Sequence, residues 1–270
     1  MSRAAIAWLA CLACLALAAP SALAAPQRVV SMNLCTDQLA MLLAAPGQLV
    51  GITRLSRDSH VSPLSAQAQN LPVHGNHAEQ VHLLDPDLVI AGDFTPLATL
   101  QALRHLGHDV RPRPPAESID DIRREIAVMG EYLGRQRQAG EVLARFDREL
   151  QKLRDGRDRG RAVIYYANGL TAGSDTLAGD ILTASGYRNI ADELGIAGTA
   201  PLPVEQLLLA APDLLVTGGT WPGHSRSEAI LNHPALAGAA PRHVRIPDHD
   251  WVCGTPFVLS AIRSLQQAGP

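Results

Sequence analysis

The sequence predicts an α/β fold of two similar lobes. Each lobe is a parallel sheet covered by helices; a long helix joins them, and a ligand cleft lies between. Three observations predict this. A segment of the first half recurs in the second without a gap. Strand patterns alternate with helix patterns in both halves. A long amphipathic stretch separates them.

The recurring segment is EQVHLLDPDLVIAG, Glu79 to Gly92, which matches EQLLLAAPDLLVTG, Glu205 to Gly218, at a constant offset of 126 residues. Pro96 and Pro222 extend the match. Each copy reads as a short amphipathic helix, a Pro-Asp turn, a buried strand (Leu88 to Ala91, Leu214 to Thr217) and a glycine that opens a loop. Proline stops the helix, and an unbroken apolar run suits a strand covered on both faces. An aligned pair of such units predicts duplicated lobes.

Residues 1–24 read as a secretory signal peptide: Arg3, an apolar run from Ile6 to Ala19, then the small residues of Ala22-Leu23-Ala24. The run is short and Ala-rich for a spanning helix. Cys11 and Cys14 lie inside it without a convincing lipobox, so a lipid anchor is not the expected reading. Export to the periplasm is expected, with a mature chain of about 245 residues, enough for one large core or two smaller ones.

The N-terminal lobe is read over 25–117, with strands at Arg28 to Met32 and Leu49 to Thr53 around a helix from Asp37 to Ala44. A connecting helix is read over 118–155. Its apolar positions, Ile119, Ile122, Ile126, Met129, Leu133, Val142, Leu143, Phe146, Leu150 and Leu153, have helical spacing. Ser118 and Asp121 resemble a capping box, and Gly134 and Gly140 are the places where the helix would break. The C-terminal lobe is read over 156–270, with a strand at Ala162 to Tyr166 and a helix from Leu177 to Ser185. Strand-helix alternation implies two Rossmann-like lobes. One continuous doubly wound sheet is the alternative, and the repeat argues against it.

Net charge is −3, which offers no electrostatic case for nucleic acid. Nucleophile-elbow, Walker and dinucleotide-binding patterns are absent from the sequence, so an enzyme is not expected. Cys35 and Cys253 are the cysteines outside the signal segment. In an oxidising compartment such a pair more often forms a disulfide than stays as free thiols, and both readings stay open.

Ligands of open parallel sheets bind beyond the carboxyl ends of the strands. The loops there carry Asn33, Cys35, Thr36, Arg54, Arg57, His74, Asn76 and Phe94 in the first lobe, and Asn168, Trp221, Trp251 and Cys253 in the second. Tryptophans on loops can stack on a flat, bulky ligand, or can cap the core of their own lobe. Arg54 and Arg57 suit anionic groups, unless Arg57 pairs with Asp58. His74, His77 and His82 do not converge in any way the sequence fixes, so no bare metal site is expected.

The stretch from Arg28 to Asp58, the unit from Glu79 to Gly92 and the end from Asp250 to Leu265 resemble class III periplasmic binding proteins. This is the Fe/B12 group of vitamin B12, ferric-siderophore and haem binders. The resemblance covers essentially the whole chain after the signal segment. Asn33-Leu34-Cys35-Thr36-Asp37-Gln38 and Trp251-Val252-Cys253-Gly254 look like one subgroup of it.

The resemblance implies two lobes bridged by a rigid helix, no cofactor, a monomer, and a metal chelate as ligand. A corrinoid is favoured and a ferric siderophore comes second. It also implies delivery to an ABC importer, with one surface glutamate per lobe meeting arginines of the permease; Glu79 and Glu205 occupy those positions. A direct haem or metal-ion binder is the alternative, drawing on Tyr165, Tyr166 or His74 with His77, and a cleft enzyme of related build comes after it. The cysteines depart from the family's B12-binder pattern, in which an acidic residue stands near the place of Cys253 and the first cleft loop has no cysteine. A Cys35–Cys253 bond would hold the lobes closed unless both residues lie near the hinge side.

Overall fold

The computed structural model describes residues 25–219, 221 and 225–269; the signal segment read over 1–24 lies outside them. The first half holds strands β1 (Val29–Ser31), β2 (Leu49–Thr53), β3 (Val73–His74), β4 (Leu88–Gly92) and β5 (Val110–Arg113). The second holds β6 (Arg161–Ile164), β7 (Leu170–Ala172), β8 (Arg188–Asn189), β9 (Thr199–Pro201), β10 (Leu214–Thr217) and β11 (Arg242–Arg245). The helices are α1 (Leu34–Leu43), α2 (Ser65–Ala68), α3 (Ala78–His82), α4 (Leu97–His105), α5 (Ile119–Tyr132), α6 (Gln136–Leu153), α7 (Leu177–Ala184), α8 (Ile190–Glu193), α9 (Val204–Ala210) and α10 (Val258–Gln267).

Two separate parallel sheets form, as the repeat predicts. The first has the order β3-β2-β1-β4-β5 and the second β11-β10-β6-β8, while β7 and β9 pair as an antiparallel ribbon. Traced from β2 and from β8, the strand orders β2-β1-β4-β5 and β8-β6-β10-β11 correspond. The central strands are buried on both faces. Leu88 and Ile90 face one apolar cluster while Val89 and Ala91 face another; Leu214 and Val216 are split from Leu215 in the same way.

The duplicated turn is a clasp. Asp87 accepts the backbone N–H groups of Gln27 (2.7 Å) and Arg28 (3.0 Å) at the entry to β1. The Arg28 guanidinium donates back to the carbonyls of Leu84 (2.6 Å) and Asp85 (2.8 Å) at the end of α3. In the second lobe, Asp213 accepts the Arg161 N–H (2.7 Å), and the Arg161 guanidinium donates to the Ala210 carbonyl (2.8 Å) at the end of α9. The residue before each proline is left-handed, Asp85 at φ 47° and Ala211 at φ 46°. Proline disfavours the right-handed helical region for the residue before it, so the helix ends there.

The connector differs from the single helix read over 118–155. It is a hairpin of α5 and α6. Gly134, at φ 65°, supplies the left-handed turn that ends α5, whereas Gly140 lies inside α6 without interrupting it. Arg123 on α5 pairs with Asp147 on α6 (2.7 Å) and covers the Phe146 ring. Ser118 caps α5 by accepting the Asp121 N–H (3.1 Å), and Asp121 accepts the Glu117 N–H (3.0 Å). Asp180 of α7 accepts the Ile119 N–H (2.7 Å), which ties the second lobe to the start of α5.

Ile119, Ile122, Ile126, Met129, Phe146 and Leu150 of the hairpin belong to one buried cluster that runs from β1, β2 and α1 to β6, α7 and α10. The helices covering the inner faces of the two sheets, α1 on one side and α7 and α10 on the other, therefore pack against the same hairpin.

A left-handed alanine is strained where glycine is not. Ala211→Gly is expected to raise stability by about 1 kcal/mol, seen as a higher urea midpoint with an unchanged m value.

Candidate functional site

Strand order reverses between β1 and β4 and between β6 and β10, and the crevices beyond those strand ends are where ligands bind in such sheets. At the first reversal Asn33 caps α1, its side chain accepting the Cys35 N–H (2.9 Å). It also packs on the end of β4: a Cβ at Gly92 would lie 2.8 Å from the Asn33 amide nitrogen, so this position admits only glycine without displacing Asn33. Thr36 is held by the Asn33 carbonyl (3.0 Å) and the Ser31 hydroxyl (2.8 Å).

A pocket of about 280 Å³ opens beside these residues. Its walls are largely apolar, with Leu34, Leu39, Pro114, Pro115 and Ala116 from the first lobe side and Val252 and Gly254 from the segment after β11. Phe94 stands on its rim, 83% exposed. Arg113 and Glu125 form a largely buried two-pronged ion pair in its wall, Arg113 Nε donating to Glu125 at 2.8 Å. The Glu125 hydrogen bond raises the Arg113 pKa above its ordinary value, so its charge is permanent and locally neutralised.

Cys35 and Cys253 are bonded to each other, with Cα atoms 5.1 Å apart. Of the two readings left open by the sequence, the structure has the disulfide. Next to Cys253, a Cβ on Gly254 would lie 2.3 Å from the Ala116 Cβ and 3.4 Å from Ile122. The bond thus sits against the connector, on the hinge side. Closing a loop of this length stabilises a fold by about 5 kcal/mol in the chain-entropy account.

A second, smaller pocket of about 140 Å³ lies where the lobes meet on the other side. Ser59 and His60 line it from the loop after β2; Gly219, Trp221, Pro247, Asp248 and His249 line it from the second lobe. His249 donates its backbone N–H to the His60 carbonyl (3.1 Å) and its Nδ1–H to the Ser59 carbonyl (3.1 Å). The His60 ring stacks on Trp221 at 5.5 Å. Asp248 accepts the Gly219 N–H (2.9 Å) and the Trp221 indole N–H (3.3 Å).

The loop after β2 is pinned by Asp37. This fully buried carboxylate of α1 accepts the Thr53 N–H (2.9 Å), the Thr53 hydroxyl (2.6 Å) and the Ser56 hydroxyl (2.6 Å). Its other oxygen has no partner among the described residues. Burial outweighs the donors and pushes the carboxyl up to about 6.

Several expected ligand residues have internal roles instead. Trp251 is buried and tilts on Tyr166 at 5.8 Å, capping the core of its own lobe. His74 is buried, with Nε2 donating to the Ser31 carbonyl (2.9 Å) and Nδ1 accepting the Asn76 N–H (3.2 Å). Arg57 does not pair with Asp58; it donates to the carbonyls of Ala68 (3.2 Å), the last residue of α2, and Leu71 (2.7 Å). Burial raises the phenols of Tyr165 and Tyr166, keeping both neutral.

Arg54 and Asn76 are exposed. Asn168 adopts φ 60° and opens, with Glu205, onto a third pocket confined to the second lobe. Glu79 and Glu205 are both exposed in the first turns of α3 and α9. Sequence reasoning missed Arg113, Glu125 and His60. Glu125 left a trace, since it falls on the apolar face of α5 between Ile122 and Met129.

A family model described as periplasmic binding protein matches residues 29–241. A cobalamin-binding protein of Halobacterium salinarum is 28% identical over 204 residues, 72% of this chain and 54% of its own, so the chain spans about half the length of that relative. YvrC of Bacillus subtilis, described as an uncharacterized ABC transporter substrate-binding lipoprotein, is 22% identical over 71% of this chain and 63% of its own. In fold, the chain is similar to the periplasmic heme binding protein HutB of Vibrio cholerae. The TM-score is 0.74 at 22% identity, covering 89% of this chain and 98% of that one.

The raised Asp37 carboxyl sets a pH dependence. Its folded value of about 6 exceeds the ordinary 3.8, so the folded state binds the proton more tightly. Its contribution is full below pH about 4 and is lost as pH rises to about 6, by up to roughly 3 kcal/mol. Melting of Asp37→Asn against the parent across that window should show the parent losing stability relative to the variant as pH rises.

Proposed function

The chain belongs to the periplasmic binding protein family, and on that footing we propose that it is the substrate-binding component of an ABC importer carrying a bulky metal chelate. A corrinoid is the favoured cargo, with a ferric siderophore second. The observation that carries this reading is the convergence of apolar, strand-end loops from both halves on one crevice, floored by the connector. The predicted signal segment fits an exported protein, and the ABC-transporter relative fits the importer.

The choice of cargo rests on charge and on kinship. An anionic siderophore wants free cations in the cleft. Arg57 is engaged by carbonyls and Arg113 by Glu125, which leaves Arg54 as the sequence-predicted cation without such a role. The curated relative named for cobalamin binding supports the corrinoid. A bare ion is less well supported. Among the described residues no group of three or more His, Cys, Asp or Glu could hold one.

Glu79 and Glu205 are the docking acids in this reading. They hold the same place in the repeat, on the same turn of equivalent helices. Two matched carboxylates suit a two-fold symmetric permease, each meeting an arginine in a charge-assisted bond.

Titration with cyanocobalamin, a ferric hydroxamate and haemin tests the cargo. Saturable quenching of tryptophan fluorescence at micromolar concentration is expected for cyanocobalamin, and silence from all three contradicts the reading. For docking, Glu79→Arg combined with Glu205→Arg is expected to abolish uptake in cells while leaving ligand affinity unchanged. Lost affinity would place the acids in the pocket instead.

A further inference from the structure

We infer that Leu83 and Leu209 form the apolar half of the docking surface, so that each lobe offers its partner a glutamate and a leucine one helical turn apart. The partner is then a two-fold symmetric permease whose equivalent faces each carry a cation beside an apolar hollow. This rests on the reading above that Glu79 and Glu205 dock on such a permease.

The two leucines hold the same place in the repeat. Each follows its glutamate by four residues, at the constant offset of 126. Leu83 is 82% exposed and Leu209 86%, whereas Val81 and Leu207, two residues earlier, are at 0%. Two residues along a helix turn the side chain by about 200°. Val81 and Leu207 therefore serve the core of each lobe, and the leucines point the opposite way. Neither leucine belongs to any of the apolar clusters of the fold. Residues four apart share a helix face, so each leucine lies beside its glutamate. In the first lobe the Leu83 N–H donates to the Glu79 carbonyl at 3.0 Å, which fixes that spacing.

A single exposed leucine is ordinary on a protein surface. A matched pair beside matched acids is not, because the exposed positions of the two helices are otherwise free to diverge. The residue before each leucine has diverged, His82 in one copy and Leu208 in the other. Gln80 and Gln206 also match, but Gln80 has a local task, accepting the Gly75 N–H at 2.6 Å.

The backbone holds both couplets in place. The carbonyl of Leu84, next after Leu83, accepts the Arg28 guanidinium at 2.6 Å. The carbonyl of Ala210, next after Leu209, accepts the Arg161 guanidinium at 2.8 Å. A fixed leucine beside a carboxylate excludes water from the ion pair that the carboxylate makes, and contacts of this kind are what strengthen an interface beyond its charges. Charge decides between partners. A second copy seated on this face would set glutamate against glutamate, whereas a cationic partner complements both acids.

The test measures uptake of labelled cyanocobalamin, ferric hydroxamate and haemin by cells whose own copy is deleted and which carry the parent or a variant. Leu83→Gln combined with Leu209→Gln keeps a good helix former and removes the apolar surface. It is expected to cut uptake of the transported chelate about tenfold or more, with each single variant in between. Chelate affinity by equilibrium dialysis and the urea midpoint should stay at the parent's values, and Leu83→Met with Leu209→Met should transport like the parent. Parental uptake by the double Gln variant, beside a silent Glu79→Arg, Glu205→Arg variant, overturns the role of the leucines and leaves the docking acids standing. Parental uptake by both variants overturns the docking reading and this inference with it, as does a parent that imports none of the three chelates. Lost affinity or a lower urea midpoint in the Gln variant assigns the leucines to the pocket or the fold instead. A parent that light scattering shows to be a dimer, and that the Gln substitutions disperse, assigns them to self-association and also overturns the inference.

Discussion

Two carboxylates, Asp87 and Asp213, hold the first strand of each lobe against the turn that follows a short helix. The return bonds from Arg28 and Arg161 close each turn from the other side. Each clasp joins a central strand to the strand beside it, at the place where strand order reverses. It ties the amino ends of these strands, opposite the crevice at their carboxyl ends, to the exposed helix carrying Glu79 or Glu205. Because the clasp is duplicated, the two acids are presented on equivalent helices without any contact between them. A bond to a charged partner is among the stronger hydrogen bonds a fold can use, and removing one partner leaves the other unsatisfied.

The space between the lobes is governed by a different constraint. The helices on the inner faces of both sheets, α1 in the first lobe and α7 and α10 in the second, pack on the α5–α6 hairpin, and the apolar cluster is continuous across it. Swinging one lobe far from the other would expose that shared apolar surface, at a cost of about 25 cal/mol for each Å². The Cys35–Cys253 bond adds a covalent limit beside the same hairpin. Ligand entry then depends on the rim, where Phe94 is exposed and where Trp221, His60 and His249 make the contacts between lobes. These are hydrogen bonds and one ring stack, far weaker than the floor.

Much of this was legible in the sequence. Leu49–Thr53 and Leu214–Thr217 were read with the bounds they have, since strands covered on both faces leave unbroken apolar runs between turn residues. The repeat was legible because the same clasp constrains both copies. The hairpin was not, because helical periodicity is the same on both sides of Gly134 and says nothing about a reversal of direction. The cysteines were open because a separation of 218 residues carries no distance information. Trp251 was open because a loop tryptophan can face either way, and only the position of Tyr166 decides it. His74 lies at the end of β3, and its burial depends on a carbonyl 43 residues away. His60 was overlooked because an acid two residues from a histidine on a loop has no periodic signature.

The central claim is that both lobes grip one metal chelate between their strand-end loops. A crystal structure grown with the bound chelate tests it most directly. The account predicts the macrocycle in the crevice, touched from one side by the loops after β1, β2 or β4 and from the other by those after β10 or β11. A chelate seated on a single lobe, with that crevice left open, would contradict it.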